Sequence, residues 1–308
     1  MNPLLKKLQE LTTKLDSTSE TLDSFRVFHG RGKIYPGLEF VTLDYYHPVL
    51  LLTLFNQPPE HWLNENLPLL QENISQKIQT IVVQHRYAPG DPSEIVYGEL
   101  PEQVFAKRGA LSFHLNLAKQ QNIGFFLDIE PARKWLEQQA ANRRILNLFA
   151  YTCSFSVVAI AAGAEKVVNV DMSSAALNQG RANHLLNGLD KNKSQYLAEN
   201  ILKSWGRIKK AGPYDLVILD PPSFQKGSFD SVKDYTKLVR RLPELMPSGG
   251  LVLSCLNNPD LDDQFLLDIF NSACPQATFL FRLPAHPDFP DAESNRQLKM
   301  LVFELATG

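Results

Sequence analysis

The sequence predicts an α/β protein in which a mostly parallel, doubly wound sheet with helices on both faces follows a smaller α+β domain. A chain of 308 residues is longer than one hydrophobic core usually supports, which favours two domains. From about residue 123, apolar strands alternate with helical stretches, as is typical of a parallel sheet. Between residues 25 and 116, short β-rich runs are broken by Gly and Pro turn signals, which indicates antiparallel character.

We predict three segments along the chain. Residues 1–20 form a helix, because five leucines recur at helical spacing: Leu4, Leu5, Leu8, Leu11 and Leu15. Residues 21–122 form the α+β domain, with one helix near Leu67–Gln79. Residues 123–308 form the parallel-sheet domain.

The parallel-sheet domain contains apolar runs that we predict to be strands: ILNLF, VVNVD, YDLVILD, LVLSC, ATFLFRL and LKMLVFEL. Ser173 is the predicted N-cap of the helix after VVNVD, which ends near Asn187-Gly188 in a left-handed cap. Another helix is predicted near Leu261–Ser272.

The composition argues against several classes of protein. Hydrophobic residues make up 44% of the chain, which excludes a largely disordered protein. The net charge is -2, so the chain does not attract RNA by its overall charge, and any RNA contact must be local. No apolar run approaches about 18 residues, so we expect a cytoplasmic protein without a membrane span. The cysteines form no CxxC pair and the histidines no HExxH spacing, so we expect no metal.

The loop Ala150–Ser156 follows the first strand of the parallel sheet, where open α/β sheets bind nucleotides. It lacks the GxGxxG glycines that a dinucleotide pyrophosphate requires, which disfavours a nicotinamide dehydrogenase. S-adenosylmethionine has no phosphate, and hydroxyls such as Thr152 and Ser154 suit its methionine part. Asp171 ends the next strand at the spacing of a ribose-binding carboxylate. The alternative is an acidic residue that interacts favourably with the dipole of the following helix.

The strand YDLVILD delivers the sequence Asp220-Pro-Pro-Ser-Phe224 to the same sheet edge. Pro221 and Pro222 supply no N–H donors, so carbonyl groups and the Asp220 carboxylate are acceptors for an amine or ring N–H. Phe224 offers a ring on which a planar base can stack. The alternative is a rigid turn with a core phenylalanine.

Several segments together resemble one family: GFFLDIEPAR, ILNLFAYTCSFSVVAIAAGA, VDMS, ANHLLNGL and DPPSF. They are similar to class I S-adenosylmethionine-dependent methyltransferases that modify large-subunit ribosomal RNA, over about Leu111 to the C-terminus. FRVFHGRGKIYPGLEF resembles the small α+β domain of that family. The resemblance implies a Rossmann-like fold with a seven-stranded sheet, S-adenosylmethionine as cofactor, and ribosomal RNA as partner, faced by residues 21–122.

The resemblance also implies a set of cofactor contacts: Asp128, Arg133, Asn147, Phe149, Ala150, Tyr151, Thr152, Cys153, Ser154, Asp171, Met172, Asn200 and Asp220. Two of these positions depart from the family. Cys153 stands where glycine is usual, and its small side chain fits if φ is negative. Asn200 replaces the adenine-binding aspartate and can still accept from the adenine amino group through its carbonyl oxygen.

The sequence bears on which atom of the base is methylated. Methylation of cytosine at carbon needs a thiolate from the protein. In the cytosine-C5 branch of the family the cysteine lies two residues after Cys255, where this chain has Asn257. LNN and SNRQLK instead resemble the branch that methylates a guanine ring nitrogen. We therefore expect Asp220, Pro221, Pro222 and Phe224 to be catalytic, and Asn257, Asn295 and Arg296 to bind the base or backbone.

Other interpretations remain open from the sequence. The chain could methylate a small molecule or a protein amine, or be an RNA-binding module that has lost catalysis. Basic and aromatic residues in the first domain could hold phosphate or be a solvated turn: Arg26, His29, Arg31 and Lys33. The sequence does not determine the oligomeric state.

Overall fold

The computed structural model describes residues 2–90, 92–117, 122–225 and 229–306, which form two compact units. Unit 1 comprises Met1–Leu127 with Pro287–Glu293, and unit 2 comprises Asp128–His286 with Ser294–Gly308. The predicted division after residue 122 lies five residues before this boundary. No sequence pattern indicated that Pro287–Glu293 returns to unit 1.

In its described residues, unit 1 has a five-stranded sheet in chain order: β1 (Phe25–His29), β2 (Val41–Tyr46), β3 (Val49–Leu54), β4 (Thr80–His85) and β5 (Ser93–Gly98). A hairpin of β6 (Val104–Arg108) and β7 (Leu111–Leu115) follows. Antiparallel pairing holds except between β3 and β4, which are parallel. That pair departs from the predicted antiparallel character because helix α2 (Trp62–Glu72) connects the two strands as a crossover.

Two helices complete unit 1 in the described residues. Helix α1 (Pro3–Asp16) lies within the predicted helical segment 1–20 and ends four residues before its predicted end, and it buries four of the five leucines: Leu4, Leu8, Leu11 and Leu15. Helix α2 (Trp62–Glu72) begins five residues before the predicted start at Leu67 and ends well before Gln79. Pro68 lies inside α2.

Unit 2 contains the predicted α/β sheet, whose described strands have the order β10-β9-β8-β11-β14-β16-β15. The first five are parallel, and β16 is antiparallel to both of its neighbours. This confirms the predicted mostly parallel, seven-stranded fold. The strands are β8 (Arg144–Leu148), β9 (Lys166–Asp171), β10 (Ser194–Ala198), β11 (Leu216–Leu219), β14 (Leu251–Leu256), β15 (Ala277–Arg282) and β16 (Lys299–Leu305).

Helices cover both faces of this sheet, and apolar clusters on the two faces form its core. They are α3 (Glu130–Gln139), α4 (Ser154–Ala161), α5 (Ser174–Leu186), α6 (Trp205–Ala211), α7 (Ser231–Val239), α8 (Leu242–Leu245) and α9 (Asp263–Ala273). The predicted caps of α5 are confirmed, since Ser173 accepts from Ala176 N at 3.2 Å and Gly188 has a φ of 63°. A small hairpin, β12 (Phe224–Gln225) and β13 (Phe229–Asp230), follows β11.

The strand order reverses between β8 and β11. From β8 the chain moves outward through β9 and β10, and it then returns to place β11 on the other side of β8. The loops after β8 and β11 therefore flank the crevice where open α/β sheets bind their ligands.

Gly180 allows α5 to approach the loop after β8. A methyl group at Gly180 would overlap Cys153 Sγ and lie 3.0 Å from Cys153 Cβ. Glycine inside a helix is less stable than alanine by about 1 kcal/mol. The close approach of Cys153 therefore explains why glycine is needed here.

We expect Gly180→Ala to lower the free energy of unfolding by about 1 to 3 kcal/mol, the usual cost of overpacking. In a Cys153→Gly background the obstruction is gone, and the same substitution should be neutral or stabilising by up to about 1 kcal/mol. Urea unfolding of the four proteins in this double-mutant cycle measures the coupling. An equal cost of Gly180→Ala in both backgrounds would contradict the assignment.

Candidate cofactor and active site

The loop between β8 and α4, residues Phe149–Cys153, has a strained backbone. Phe149, Tyr151 and Cys153 have φ angles of 58°, 46° and 61°. This left-handed region costs a residue with a side chain roughly 1 to 2 kcal/mol. Such strain persists where surrounding contacts enforce it, and it is typical of ligand-binding sites.

Hydrogen bonds from neighbouring elements hold this loop. Ala150 N donates to the backbone of β9 at 3.1 Å, and Tyr151 N donates to Asp171 Oδ2 at 2.9 Å. From α5, the Asn183 side-chain amide donates to the Thr152 carbonyl at 3.0 Å. Strand β9 and helix α5 thus hold the loop from both sides.

The condition of a negative φ at Cys153 is not met, because its φ is 61°. The residue is left-handed and precedes α4 as its N-cap, so the backbone keeps a conformation that glycine favours. Its side chain is fully buried against Gly180, and this burial raises the pKa of the thiol. Cys153 is therefore a packing residue in a position that otherwise suits glycine.

Asp171 joins the loop to the end of β9. Its Oδ2 accepts from Tyr151 N, and its Oδ1 accepts from Ser173 N at 2.8 Å. Burial raises the pKa of Asp171, and the two backbone hydrogen bonds oppose that shift. A carboxylate has about four acceptor positions, so about two remain for ligand hydroxyls. Met172, the next residue, is 44% exposed.

Asn200 lies just beyond β10, at the same edge of the sheet. Its Oδ1 is buried and has no hydrogen-bond partner among the described residues. A buried acceptor without a donor is unfavourable by about 1 to 3 kcal/mol, so a ligand N–H at this point would stabilise it. An adenine amino group has the required donor, and the residue present therefore fits the predicted cofactor.

A charged cluster lies where α3, α4 and β11 meet. The Arg133 guanidinium is fully buried, with Nε 3.4 Å from Ser154 Oγ and Nη1 3.3 Å from Glu130 Oε2. The pKa of Asp220 is raised to about 7, chiefly by burial and also by the nearby Asp128 charge, while the Arg133 charge opposes both effects. The predicted contacts Asp128, Arg133, Ser154 and Asp220 thus share one electrostatic environment.

Asn147 lies within the sheet and is fully buried, so its predicted cofactor contact stays a prediction. Its amide donates to Asn169 at 2.9 Å, and Asn169 donates to Ser156 Oγ at 3.0 Å. Ser156 Oγ is 2.9 Å from His184 Nε2, and the other ring nitrogen is 2.7 Å from the Gly180 carbonyl. Burial lowers the pKa of His184, so its ring is neutral. With the proton on Nδ1, the ring accepts from Ser156 and donates to the Gly180 carbonyl, and the hydrogen bonds then run in one direction from β8 to α5.

The sequence after β11 presents an aromatic ring to solvent. Phe224 is 69% exposed, which excludes the interpretation of a core phenylalanine. Phe229 is the buried one, and its ring lies 4.9 Å from that of Phe149 in the strained loop. Ser223 Oγ donates to the Asn257 carbonyl, which joins this turn to the end of β14. Pro221 is buried at the base of the turn.

Cys255 is fully buried in β14, and burial raises the pKa of its thiol well above the ordinary value. The nearby charges of Asp220 and Asp128 raise it further. A thiol in this environment is protonated at neutral pH and is a poor nucleophile.

The predicted substrate residues lie next to two paired strands, β14 and β16. Asn257 follows β14, and Asn295 and Arg296 belong to a short 3₁₀ helix before β16, the antiparallel neighbour of β14. Arg296 lies 3.8 Å from Asp260, in the loop after Asn257. Sequence reasoning missed Lys299, which is fully buried and donates to the Asn258 carbonyl at 2.6 Å, although SNRQLK contains it.

Two kinds of site are absent from the part of the chain that the structure describes. No helix in residues 2–90, 92–117, 122–225 and 229–306 is long and apolar enough to cross a membrane. In the same residues, no cluster of three or more His, Cys, Asp or Glu side chains could hold a metal ion.

Comparison with known proteins identifies relatives across both units. A family model of S-adenosylmethionine-dependent methyltransferases matches residues 25–304. The ribosomal RNA large subunit methyltransferase I of Tolumonas auensis is 28% identical over 288 residues, 88% of this chain and 71% of that protein. The ribosomal RNA large subunit methyltransferase K/L of Shewanella amazonensis is 39% identical over 161 residues, 51% of this chain and 22% of that protein.

A solved structure of a putative methyltransferase in complex with S-adenosylhomocysteine (SAH) has a TM-score of 0.85 and 25% identity. The similarity covers 98% of this chain and 80% of that one. The chain uses S-adenosylmethionine as its methyl donor, in agreement with the family match and with this complex. It belongs to the family of S-adenosylmethionine-dependent methyltransferases.

Proposed function

We propose that this enzyme transfers a methyl group to a guanine ring nitrogen in large-subunit ribosomal RNA. The exposed Phe224 ring carries the proposal, because it follows the acceptor-rich Asp220-Pro-Pro turn and gives a planar base a surface for stacking. The similarity to ribosomal RNA large subunit methyltransferases I and K/L supports ribosomal RNA as the substrate. Such a substrate also agrees with the cytoplasmic location that the sequence predicts.

The choice of nitrogen over carbon depends on Cys255. Methylation at cytosine C5 needs a thiolate that attacks the ring, and the Cys255 thiol is buried and protonated. A ring nitrogen attacks the methyl group with its own lone pair, so no covalent bond to the protein is needed. This difference favours guanine over cytosine.

The residues around the strained loop would hold S-adenosylmethionine, which supplies an electrophilic methyl group. The buried Arg133 and the first amides of α4 suit the methionine carboxylate. The remaining acceptor positions of Asp171 suit the ribose diol, and Asn200 Oδ1 suits the adenine amino group. Phe149, Ala150 and the other predicted loop contacts would form the wall of this site.

The turn after β11 would orient the target base. The Asp220 carboxylate and the Pro221 carbonyl accept from N–H groups on the base edge, and Pro222 keeps the turn rigid. Phe224 stacks on the base, while Asn257, Asn295 and Arg296 contact the base or its backbone. Catalysis is then mainly positioning, in which a displacement of about 1 Å costs on the order of a hundredfold in rate.

Asn200 should confer selectivity for adenine in the cofactor. We expect Asn200→Ala to weaken S-adenosylhomocysteine binding several-fold, because a neutral hydrogen bond contributes about 0.5 to 1.5 kcal/mol. The variant should also lose the preference over S-inosylhomocysteine, whose carbonyl replaces the amino group. Isothermal titration calorimetry measures both, and Asp171→Ala is the control that should weaken the two ligands equally. An unchanged preference in Asn200→Ala contradicts the adenine assignment.

Asp220 should give the reaction a pH dependence. Because the pKa of Asp220 is about 7, its carboxylate acceptor is lost by protonation below that pH. We expect kcat/KM for S-adenosylmethionine, which reports the enzyme before the cofactor binds, to fall as pH decreases through about 7, and Asp220→Asn to have a much lower value without this titration. A wild-type profile that is flat from pH 6 to 8 is the outcome that opposes this role.

The free energy of unfolding provides a control measurement for the titration of Asp220. Folding raises the pKa of Asp220 above its ordinary value of 3.8, so protonation favours the folded state. Relative to Asp220→Asn, the wild type without cofactor should therefore lose stability as pH rises from about 4 to about 7. Urea unfolding at several pH values tests this independently of catalysis.

Transfer of radiolabelled methyl groups to protein-free large-subunit rRNA tests the proposed function. Phe224→Ala should raise KM for RNA by roughly 5- to 150-fold, since stacking contributes about 1 to 3 kcal/mol per base. Phe224→Tyr keeps the ring and should behave as the wild type. If wild-type enzyme labels only small amines or protein, the ribosomal RNA proposal is wrong.

A further inference from the structure

We propose that Lys299 is a positioning residue, which holds the loop after β14 so that Asn257 meets the target base in one orientation. The inference rests on the proposed function, because it concerns how the same site orients its RNA substrate. We call residues 257–262, between β14 and α9, the β14–α9 loop. Lys299 is the first residue of β16, and its side chain acts through the backbone of this loop.

The register of the sheet places Lys299 beside the β14–α9 loop. Strand β16 is antiparallel to β14, and Lys299 lies opposite Leu256, the last residue of β14. Strand β14 is parallel to β11, so the loops that follow these two strands lie at the same edge of the sheet. Lys299 is therefore next to the loop that carries Asn257, at the edge where the proposed base-binding turn lies.

Two side chains hold consecutive carbonyl groups of this loop. The Lys299 ammonium group donates to the Asn258 carbonyl at 2.6 Å, and Ser223 Oγ, in the turn after β11, donates to the Asn257 carbonyl. Asn258 Oδ1 also accepts from Asp260 N at 3.0 Å, which closes a turn within the loop. The backbone at Asn257 is thus held by both neighbouring elements, while its side chain is exposed.

The charge of Lys299 is unfavourable for folding. Its side chain is fully buried, and this burial lowers the pKa of the ammonium group, as do the charges of Arg282 and Arg296. The charges of Asp263 and Asp262 oppose this shift. A pKa that is lower in the folded chain than in the unfolded chain means that the charged form is less favourable in the folded state.

Each of the two nearby carboxylates has another partner in the described residues. Asp263 Oδ2 accepts from Arg282 at 2.9 Å. Asp262 is the N-cap of α9, and its Oδ1 accepts from Phe265 N at 3.3 Å. The Lys299 ammonium group instead donates to a backbone carbonyl, so its direct contact is with the β14–α9 loop.

Stability alone would favour an apolar side chain at this position. Leu261 N lies 3.4 Å from the Asn258 carbonyl, so that carbonyl would keep a donor without Lys299. Replacing a buried charge by an apolar group of similar size is often neutral or stabilising. The lysine is therefore better explained by the orientation of the loop than by the stability of the fold.

The test replaces Lys299 by methionine, which has a similar length and no donor. We expect Lys299→Met to lower kcat for methylation of protein-free large-subunit rRNA by roughly ten- to a hundredfold, because a displacement of about 1 Å costs on the order of a hundredfold in rate. KM for RNA should change little, since stacking on Phe224 does not require the loop. The urea midpoint should stay the same or rise, and S-adenosylhomocysteine affinity should not change.

A double-mutant cycle tests whether Lys299 acts through Asn257. Asn257→Ala removes the side chain that the loop orients, and it should lower kcat by itself. In that background, Lys299→Met should lower kcat little further, because the two residues contribute to one interaction. The values of kcat for the four proteins measure this coupling.

Lys77→Met is the matched control in unit 1. The Lys77 ammonium group donates to the carbonyls of Leu15 and Thr18, at the end of α1. The same substitution there removes backbone contacts that stabilise the fold. It should lower the urea midpoint and leave kcat for rRNA unchanged.

Wild-type kcat in Lys299→Met, or an equal loss of kcat in the wild-type and Asn257→Ala backgrounds, would overturn the inference and leave the proposed function intact. A Lys299→Met protein that does not fold, unfolds at lower urea concentration or binds S-adenosylhomocysteine more weakly would also overturn it, because the lysine would then serve the fold. Wild-type enzyme that methylates no rRNA would overturn the proposed function, and the inference with it.

Discussion

The hydrogen bond from the Tyr151 amide to the Asp171 carboxylate is the contact on which the candidate site depends. The loop after β8 passes through the left-handed region at alternate residues, a conformation that persists where surrounding contacts enforce it. Asp171 provides such a contact from the end of β9, where the sheet fixes its position. One carboxylate thus shapes the loop and, in our proposal, also binds the cofactor ribose.

The electrostatics of the site suit a ligand that is positively charged at sulfur and negatively charged at its carboxylate. Asp220 and Asp128 lie close enough for the charge of one to raise the pKa of the other, and the Arg133 charge opposes this. A sulfonium near Asp220 would favour the ionised carboxylate, because an opposite charge stabilises it. The guanidinium of Arg133, beside the first residue of α4, suits the carboxylate of the same ligand.

The sequence predicted those parts of the protein that depend on local pattern. The strands and helices of unit 2 follow from hydrophobic periodicity, and the caps of α5 follow from Ser173 and Gly188, whose preferences are local. The site loops could be located because the ends of parallel strands meet at one sheet edge. The left-handed φ of Cys153 could not be predicted, because it depends on the space that Gly180 leaves 27 residues away.

The central claim is that the Asp220–Phe224 turn presents a guanine ring nitrogen to the methyl group of S-adenosylmethionine. The most direct measurement is nucleoside mass spectrometry of unmodified large-subunit rRNA after incubation with the purified enzyme and trideuteromethyl-labelled S-adenosylmethionine. The account predicts that the label is found in a guanosine methylated on a ring nitrogen, and that Cys255→Ser gives the same product. Label in 5-methylcytidine, abolished by Cys255→Ser, would contradict it.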